Sequence, residues 1–171
     1  MKNIITICTL FMAVNLSAQF YPMEAGGRGG LSSGFTFRAY VNEEISYESL
    51  LSFRNYGVQM HLFRQRNYEL NMTEKGTWYF TYGFGPHIGF YYSDTYTVLF
   101  QEINYGGRVF SPMIGMNGYA GLEFRFFEVP ISLGMSFKPY MELSYRQIFG
   151  FNIWDFGFTL KYRFKPENTY Y

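Results

Sequence analysis

Apolar and polar side chains alternate without interruption along residues 131–143. Every second position holds an apolar residue or Pro139, and between them lie Ser132, Gly134, Ser136, Lys138, Tyr140 and Glu142. Successive side chains of a β-strand point to opposite faces of its sheet, so this period of two predicts a strand with one apolar and one polar face. Strands of globular proteins usually have about 3–10 residues. A longer strand raises the question of what covers its apolar face.

The same alternation occurs in six further stretches, so the pattern predicts seven strands. The six stretches are Trp78–Tyr92, Ile114–Phe126, Trp154–Phe164, Phe35–Val41, Ile45–Arg54 and Val58–Phe63. A tilted strand that crosses a membrane needs roughly 9–11 residues, and the longer stretches provide that length. After residue 18 no apolar run is long enough for a membrane-spanning helix, so the sequence argues against a helical membrane protein.

Glycine interrupts the pattern in the stretch EAGGRGGLSSG, residues 24–34. Bacterial single-chain membrane barrels have an even number of strands, so we infer an eighth, poorly marked strand at about residues 24–31. Short turns are expected at 42–44 and 128–130, with longer connections at 66–77, 93–111 and 146–152. If the last strand ends in the periplasm, the 93–111 loop is extracellular and the 66–77 connection is an unusually long periplasmic turn. For residues 96–110 the sequence favours, over a ligand-binding loop, a strand pair that extends above the membrane.

The amino-acid composition helps to decide whether the apolar faces are covered by a protein core or by lipid. Aromatic residues make up 23% of the chain, from 20 Phe, 17 Tyr and 2 Trp. A soluble domain of this size could not bury so many rings, and exposed rings would form large apolar patches. The polar faces are rich in Gly, Ser, Thr and Tyr, which suit a narrow lumen. The sequence therefore predicts an all-β, antiparallel, up-and-down transmembrane β-barrel of eight strands, closed because every backbone group needs a partner in hydrocarbon.

In this barrel the two faces of each strand have different surroundings. The side chains expected to face lipid include Phe80, Phe84, Ile88, Leu122, Phe124, Leu133, Phe137, Phe156, Phe158 and Leu160. The lumen is expected to hold a charge network of Arg38, Glu48, Arg54, His61, His87, Glu123, Arg125, Lys138, Glu142, Asp155, Lys161 and Arg163. Buried ions need partners, and these opposite charges nearly cancel. Trp78, Tyr92, Trp154 and Tyr162 lie near strand ends, where aromatic girdles occur.

The first 18 residues have the features of a secretory signal peptide. Lys2 precedes the apolar run of residues 4–16, and Leu16-Ser17-Ala18 provides a small-residue cleavage site. We therefore expect residues 1–18 to be removed and residues 19–171 to form a single domain in the bacterial outer membrane. Cleavage also removes Cys8, the only cysteine. The overall charge is nearly balanced, with 14 Lys+Arg against 13 Asp+Glu, which argues against binding to nucleic acid.

The last strand carries a motif, DFGFTLKY at residues 155–162, continued by Phe164. It resembles the C-terminal signal that outer-membrane barrels present to their assembly machinery, although the tail 165–171 follows it here. The mature chain resembles the small eight-stranded outer-membrane barrels, including OmpA-like and OmpX-like proteins. GGLSSGFTFRAYVNEE, WYFTYGFGPHIGFY and ISLGMSFKPYMEL are similar to small barrel proteins common in Bacteroidetes. This resemblance implies outer-membrane lipids, lipopolysaccharide and the barrel-assembly machinery as partners.

Candidate chemistry is sparse. His61 and His87 fall on polar strand faces, and no serine lies two residues from either, so an acyl-transfer site is not indicated. Two histidines without cysteine make a poor metal set. The glycines around Arg28 lack the Lys-Ser/Thr and the helix of a nucleotide loop, so they are better explained by close strand packing. No catalytic residue, cofactor or metal is expected.

Three function classes remain compatible with the sequence. The first is a structural outer-membrane barrel with a plugged, polar lumen and surface interactions through its loops, including a possible extracellular ligand at 93–111. The second is a lipid-modifying enzyme acting on the acyl chains of lipid A. The third is a narrow, porin-like channel or a carrier of small molecules. A secreted, soluble lipocalin-like barrel is the competing fold.

Overall fold

The structure is a computed structural model that describes residues 22–54, 56–98, 101–144 and 149–164. In these residues it contains ten β-strand segments. They are β1 (Met23–Gly30), β2 (Ser33–Tyr40), β3 (Ile45–Arg54), β4 (Gly57–Thr73), β5 (Gly76–Val98), β6 (Gln101–Phe126), β7 (Ile131–Phe137), β8 (Tyr140–Ser144), β9 (Gly150–Asn152) and β10 (Phe156–Arg163). The described part holds no helix long and apolar enough to span a membrane.

The sheet closes on itself. All neighbouring segments pair antiparallel, and β1 pairs with β2 on one side and with β10 on the other, where Glu24 lies opposite Arg163. Both β7 and β8 pair with β6, and β9 pairs with β8 while β10 pairs with β7. The ten segments therefore form eight barrel strands, because β7 and β8 together make one interrupted strand and β9 and β10 together make another. This confirms the predicted all-β, antiparallel, eight-stranded barrel.

Pro139 causes the interruption between β7 and β8, because proline has no N–H to donate to the ladder. The wall nevertheless continues across the gap. The Lys138 amide donates to the carbonyl of Asp155 (2.8 Å), and the Pro139 carbonyl accepts from the amide of Gly118 (2.8 Å). Side chains keep alternating through the break, so the predicted two-faced pattern of residues 131–143 is confirmed.

The inferred eighth strand is also confirmed, as β1. Its glycines allow neighbouring backbones to approach closely: a Cβ on Gly26 would lie 1.9 Å from the carbonyl oxygen of Leu160 on β10. Gly30 has a φ of 149°, a backbone angle that residues other than glycine rarely adopt. A glycine-rich segment thus closes the barrel although it shows no apolar alternation.

One predicted connection is wrong, and another proves to be a strand pair. The 66–77 stretch is not a loop, because β4 continues to Thr73, a two-residue turn follows, and β5 begins at Gly76. The 93–111 stretch is the strand pair that the sequence favours for residues 96–110: β5 and β6 form a hairpin there, with an irregularity between Ser93 and Thr95. In both places backbone pairing with a long neighbouring strand maintains the ladder where the apolar period is absent.

The two ends of the barrel differ. One end, here called the termini rim, has Met23, Arg163 and the turns at 41–44, 74–75 and 127–130. The turns at 41–44 and 127–130 were predicted, at 42–44 and 128–130, and are confirmed, whereas the 74–75 turn was not predicted. At the opposite end the β5–β6 hairpin extends well beyond the β3–β4 connection, since Val58 of β4 pairs with Phe90 and the hairpin continues to Val98.

Candidate functional site in the barrel interior

The inward face of the wall is charged and closed to solvent. Five carboxylates lie there, each at most 4% exposed: Glu24, Glu48, Glu123, Glu142 and Asp155. The buried cations are Arg28, Arg38, Lys138 and Lys161, and half-buried Arg54 and Arg125 join them. A buried charge without a partner is very unfavourable, so the arrangement of ion pairs determines whether such an interior is stable.

Arg38 is the centre of the network nearest the termini rim. Its Nη2 lies 2.7 Å from Glu48 Oε2, and its Nη1 lies 2.9 Å from Glu123 Oε2 and 3.2 Å from Glu24 Oε2. One guanidinium therefore joins carboxylates from β1, β3 and β6. The planar fork of arginine suits this task, because it can donate in several directions at once.

Two further cations complete this network. Lys161 Nζ lies 2.9 Å from Glu48 Oε2 and 3.3 Å from Glu123 Oε2. Arg125 Nε lies 2.9 Å from Glu123 Oε1, and its guanidinium stacks 3.8 Å from the ring centroid of Tyr79. The Tyr40 hydroxyl accepts hydrogen bonds from both Arg38 and Arg125. Three carboxylates thus meet three cations, and the network is neutral.

An apolar layer follows along the strands. Leu50 and Phe63 are fully buried, and the Phe63 ring lies 5.5 Å from that of Tyr119. His61 stacks on the other side of Phe63, with ring centroids 5.9 Å apart. These side chains occupy the interior between the Arg38 network and the polar groups closer to the hairpin end.

Asp155 organises the next network. Its Oδ1 lies 3.1 Å from Arg28 Nη1 and its Oδ2 lies 3.2 Å from Lys138 Nζ. Ser32 donates a further hydrogen bond to Oδ2. Arg28 also donates to the Ser32 carbonyl (2.7 Å), which ties the β1–β2 turn to the interior.

Glu142 is the acidic centre closest to the hairpin end. It accepts from the Tyr91 hydroxyl at 2.7 Å, and Arg54 Nη2 lies 3.9 Å from its Oε1. The Arg54 guanidinium also lies 4.4 Å from the ring centroid of Tyr140. His87 Nε2 is 3.6 Å from Glu142 Oε2 and has no hydrogen bond within the described residues.

His61 has a serine partner that sequence spacing did not indicate. Its Nε2 lies 2.9 Å from Ser52 Oγ across β3 and β4, and the Asn117 amide contacts its Nδ1 at 3.1 Å. Ser52 is 0% and His61 1% exposed, and Lys138 Nζ lies 3.4 Å from the same Nε2. A proton accepted there would lie beside a second positive charge, so the geometry does not favour His61 as a general base.

The structure places the sequence-predicted lumen residues in three groups. Arg38, Glu48, Glu123, Arg125 and Lys161 form the first, His61, Lys138 and Asp155 meet in the second, and Arg54, His87 and Glu142 form the third. Arg163 joins none of them: it is half-buried at the termini rim and donates to backbone carbonyls of Phe126 and Val129. No group of three metal-ligating side chains occurs in the described part of the chain.

Sequence reasoning missed two interior charges, Glu24 and Arg28. Both come from β1, where glycines remove the apolar alternation that would assign an inward face. The only usable signal was their spacing of four residues, which places two strand residues on the same face.

The outward face has the predicted side chains. Eight of the ten residues expected to face lipid are exposed, with Phe158 highest at 72%. Phe124 and Phe137 also point outward but are half-buried, because their rings pack 4.9 Å from those of Trp78 and Phe156. Arg64 and Arg66, which the apolar alternation does not predict, also lie exposed on this outward face, on β4.

Comparisons with known proteins support the fold. No family model and no curated protein matches the chain. The structure is similar to the crystal structure of the N-terminal beta-barrel domain of Pseudomonas aeruginosa OprF, with a TM-score of 0.51 and 14% sequence identity, over 84% of this chain and 96% of that one. The resemblance to small eight-stranded barrels is thereby confirmed at the level of the fold. The narrower Bacteroidetes type stays a prediction.

Proposed function

We propose that this protein is an outer-membrane β-barrel with a structural or surface-interaction role and a plugged, polar lumen. One observation carries the proposal: the barrel is inverted relative to a soluble protein, with carboxylates and their cations inside and phenylalanine, leucine and methionine outside. In water, that outer face would be a continuous apolar surface far larger than soluble monomers expose. In a bilayer it is the expected lipid contact.

The side chains of the interior support the plugged state. Arg38, Lys161, Phe63, Leu50 and Lys138 come from different strands and are all nearly or fully buried. An eight-stranded barrel is just wide enough for side chains to fill it. Ions crossing this interior would have to break the ion pairs around Arg38, and we therefore expect poor conductance.

Membrane insertion is tested by expressing the full chain with its first 18 residues in a Gram-negative host. We expect the protein in the outer-membrane fraction, soluble only with detergent, and with faster gel migration when unheated than when boiled. Recovery as a detergent-free, soluble monomer would contradict the proposal. N-terminal sequencing of the recovered protein tests cleavage after Ala18, since residues 1–21 lie outside the described part.

Planar-bilayer recordings test the plug separately. We expect no steady channels of porin size from the purified protein, and long-lived large openings in most insertions would contradict a plugged lumen. Recognition by the assembly machinery through β10, contact with lipopolysaccharide, and a ligand at residues 93–111 belong to the same proposal. Side chains 93–105, 108 and 109 lie outside the description, so that ligand stays a prediction.

A further inference from the structure

Two arginines interrupt the apolar outer wall. Along β4 the outward positions run Val58, Met60, Leu62, Arg64, Arg66, Tyr68, so the charges lie between apolar and aromatic side chains. A charged residue on the lipid face of a barrel costs about 2–4 kcal/mol at the bilayer midplane and roughly 0–1 near the interfaces. Their position is therefore informative about what surrounds them.

Neither guanidinium is neutralised by the protein. Within the described residues no carboxylate oxygen lies within 4.0 Å of Arg64 or Arg66, whereas each of the five interior carboxylates has a basic partner. On the same outward face, Arg66 lies directly opposite Tyr82 of β5, and Tyr68 follows it two residues along β4. Those rings stack with centroids 5.6 Å apart, and their hydroxyl oxygens are 3.3 Å apart.

The pair lies close to the termini rim on the side of β3. Arg66 is paired with Ile45, the first residue of β3, and Arg64 is paired with Tyr47. Next to Arg66, the Asn67 amide donates to the Glu44 carbonyl of the adjoining turn at 2.7 Å. Arg64 is two residues, roughly 7 Å, farther into the wall, so both flexible side chains can extend to the headgroup layer of that leaflet.

We propose that Arg64 and Arg66, with Tyr47, Tyr68 and Tyr82, form a lateral site for the phosphate of an anionic phospholipid in the leaflet at the termini rim. The inference rests on the proposed membrane function. Guanidinium forks bind phosphate oxygens in bidentate fashion, and tyrosine hydroxyls supply further donors at an interface. Leu62, two residues before Arg64 on β4, and Phe84, opposite Arg64 on β5, provide the apolar surface against which the acyl chains lie.

A second copy of the chain fits this surface poorly. The acidic residues whose side chains are described lie in the interior, in the turns, or, for Glu69, on the part of β4 beyond the start of β3. Two walls packed face to face would therefore bring arginines together without carboxylates. A lipid phosphate supplies the missing charge directly.

Native mass spectrometry of the full mature chain folded in non-ionic detergent tests the site. Phosphatidylglycerol or phosphatidylcholine with identical acyl chains is added separately, and retained lipid is counted. We expect phosphatidylglycerol to be retained preferentially, and Arg64→Gln with Arg66→Gln to reduce this preference roughly tenfold or more. Lys75→Gln, in the water-exposed 74–75 turn of the same rim, is the matched control and should leave the preference unchanged.

Three results would overturn the proposal: equal retention of the two lipids, an unchanged preference in the double variant, or a dimer that the double variant dissociates. Displacement of phosphatidylglycerol by equimolar sodium phosphate would equally overturn it, because the site would then take the free anion. Heat-modifiable migration of the same samples reports folding. A folded, detergent-dependent protein without lipid preference refutes only this site, whereas a detergent-free soluble protein refutes the proposed function.

Discussion

Arg38 on β2 lies directly opposite Glu48 on β3, and their side chains meet in the interior with Nη2 2.7 Å from Oε2. The same guanidinium also contacts Glu24 and Glu123, so Arg38 is the one cation of this network that all three carboxylates share. Removing one member of a buried ion network is far more costly than replacing the whole of it, because the remaining charges lose their compensation.

Arg38→Met should therefore destabilise the barrel by about 3–5 kcal/mol. The measurement is urea unfolding in detergent, followed by tryptophan fluorescence and by the loss of heat-modifiable migration. Arg64→Gln, which removes an outward-facing charge without an ion pair, is the control and should change unfolding by less than about 1 kcal/mol. Equal effects of the two substitutions would contradict the assigned network.

The apolar layer around Phe63 predicts that truncating an inward phenylalanine destabilises the barrel more than truncating an outward one. Phe63→Ala leaves a cavity beside Leu50 and Tyr119 and should cost about 3–5 kcal/mol. Phe158→Ala removes the same atoms from the most exposed outward phenylalanine, where acyl chains can fill the space, so we expect a clearly smaller loss. Comparing the two in the same unfolding assay checks which face is a protein core, and a larger loss for Phe158→Ala would show that the faces were assigned the wrong way round.

An arginine introduced on the outward face should destabilise the barrel more the deeper it lies in the bilayer. Leu160→Arg places a guanidinium within the wall and should reduce the folding free energy by about 2–4 kcal/mol, whereas Phe164→Arg, beyond the end of the same strand at the termini rim, should cost roughly 0–1 kcal/mol. Folding yields and unfolding in lipid vesicles measure both variants. Equal tolerance of the two would mean that this face does not lie in hydrocarbon.

Closure through β1 gives a prediction with a control on the same strand. Gly26→Ala places a methyl group against the Leu160 carbonyl and should impair β1–β10 pairing, whereas nothing lies within 4 Å of a Cβ on Gly29. We expect Gly26→Ala to lower the yield of heat-modifiable protein and Gly29→Ala to fold normally. Normal folding of both variants would contradict the requirement for glycine at residue 26.

The sequence predicted most of the architecture, because period-two alternation survives wherever one face is uniformly apolar. The strand at 78–92 is an example: its outward residues from Trp78 to Tyr92 face away from the interior as expected. Lys138 and Asp155 were both assigned inward, but their pairing could not be derived, because β7–β8 and β9–β10 are each interrupted and the register across the interruptions depends on tertiary contacts.

The errors have local physical reasons. Arg64 and Arg66 occupy outward positions where the pattern requires apolar residues, so the alternation predicts a strand only to Phe63 and a connection at 66–77. Ser52 was not associated with His61 because the two meet through cross-strand neighbours rather than through spacing along one strand. Glu24 and Arg28 were hidden by glycines. In each case pairing with an adjacent strand, which sequence periodicity does not report, determined the structure.

The pairing of Glu24 with Arg163 joins the first described strand to the last. In the proposed outer-membrane location, the ring can therefore be completed only after β10 has been synthesised and exported. Until then the phenylalanine-rich faces have no bilayer to enter and the edges of both end strands are unpaired, a state prone to aggregation. An exported barrel of this topology would therefore require factors that hold the unfolded chain during transit.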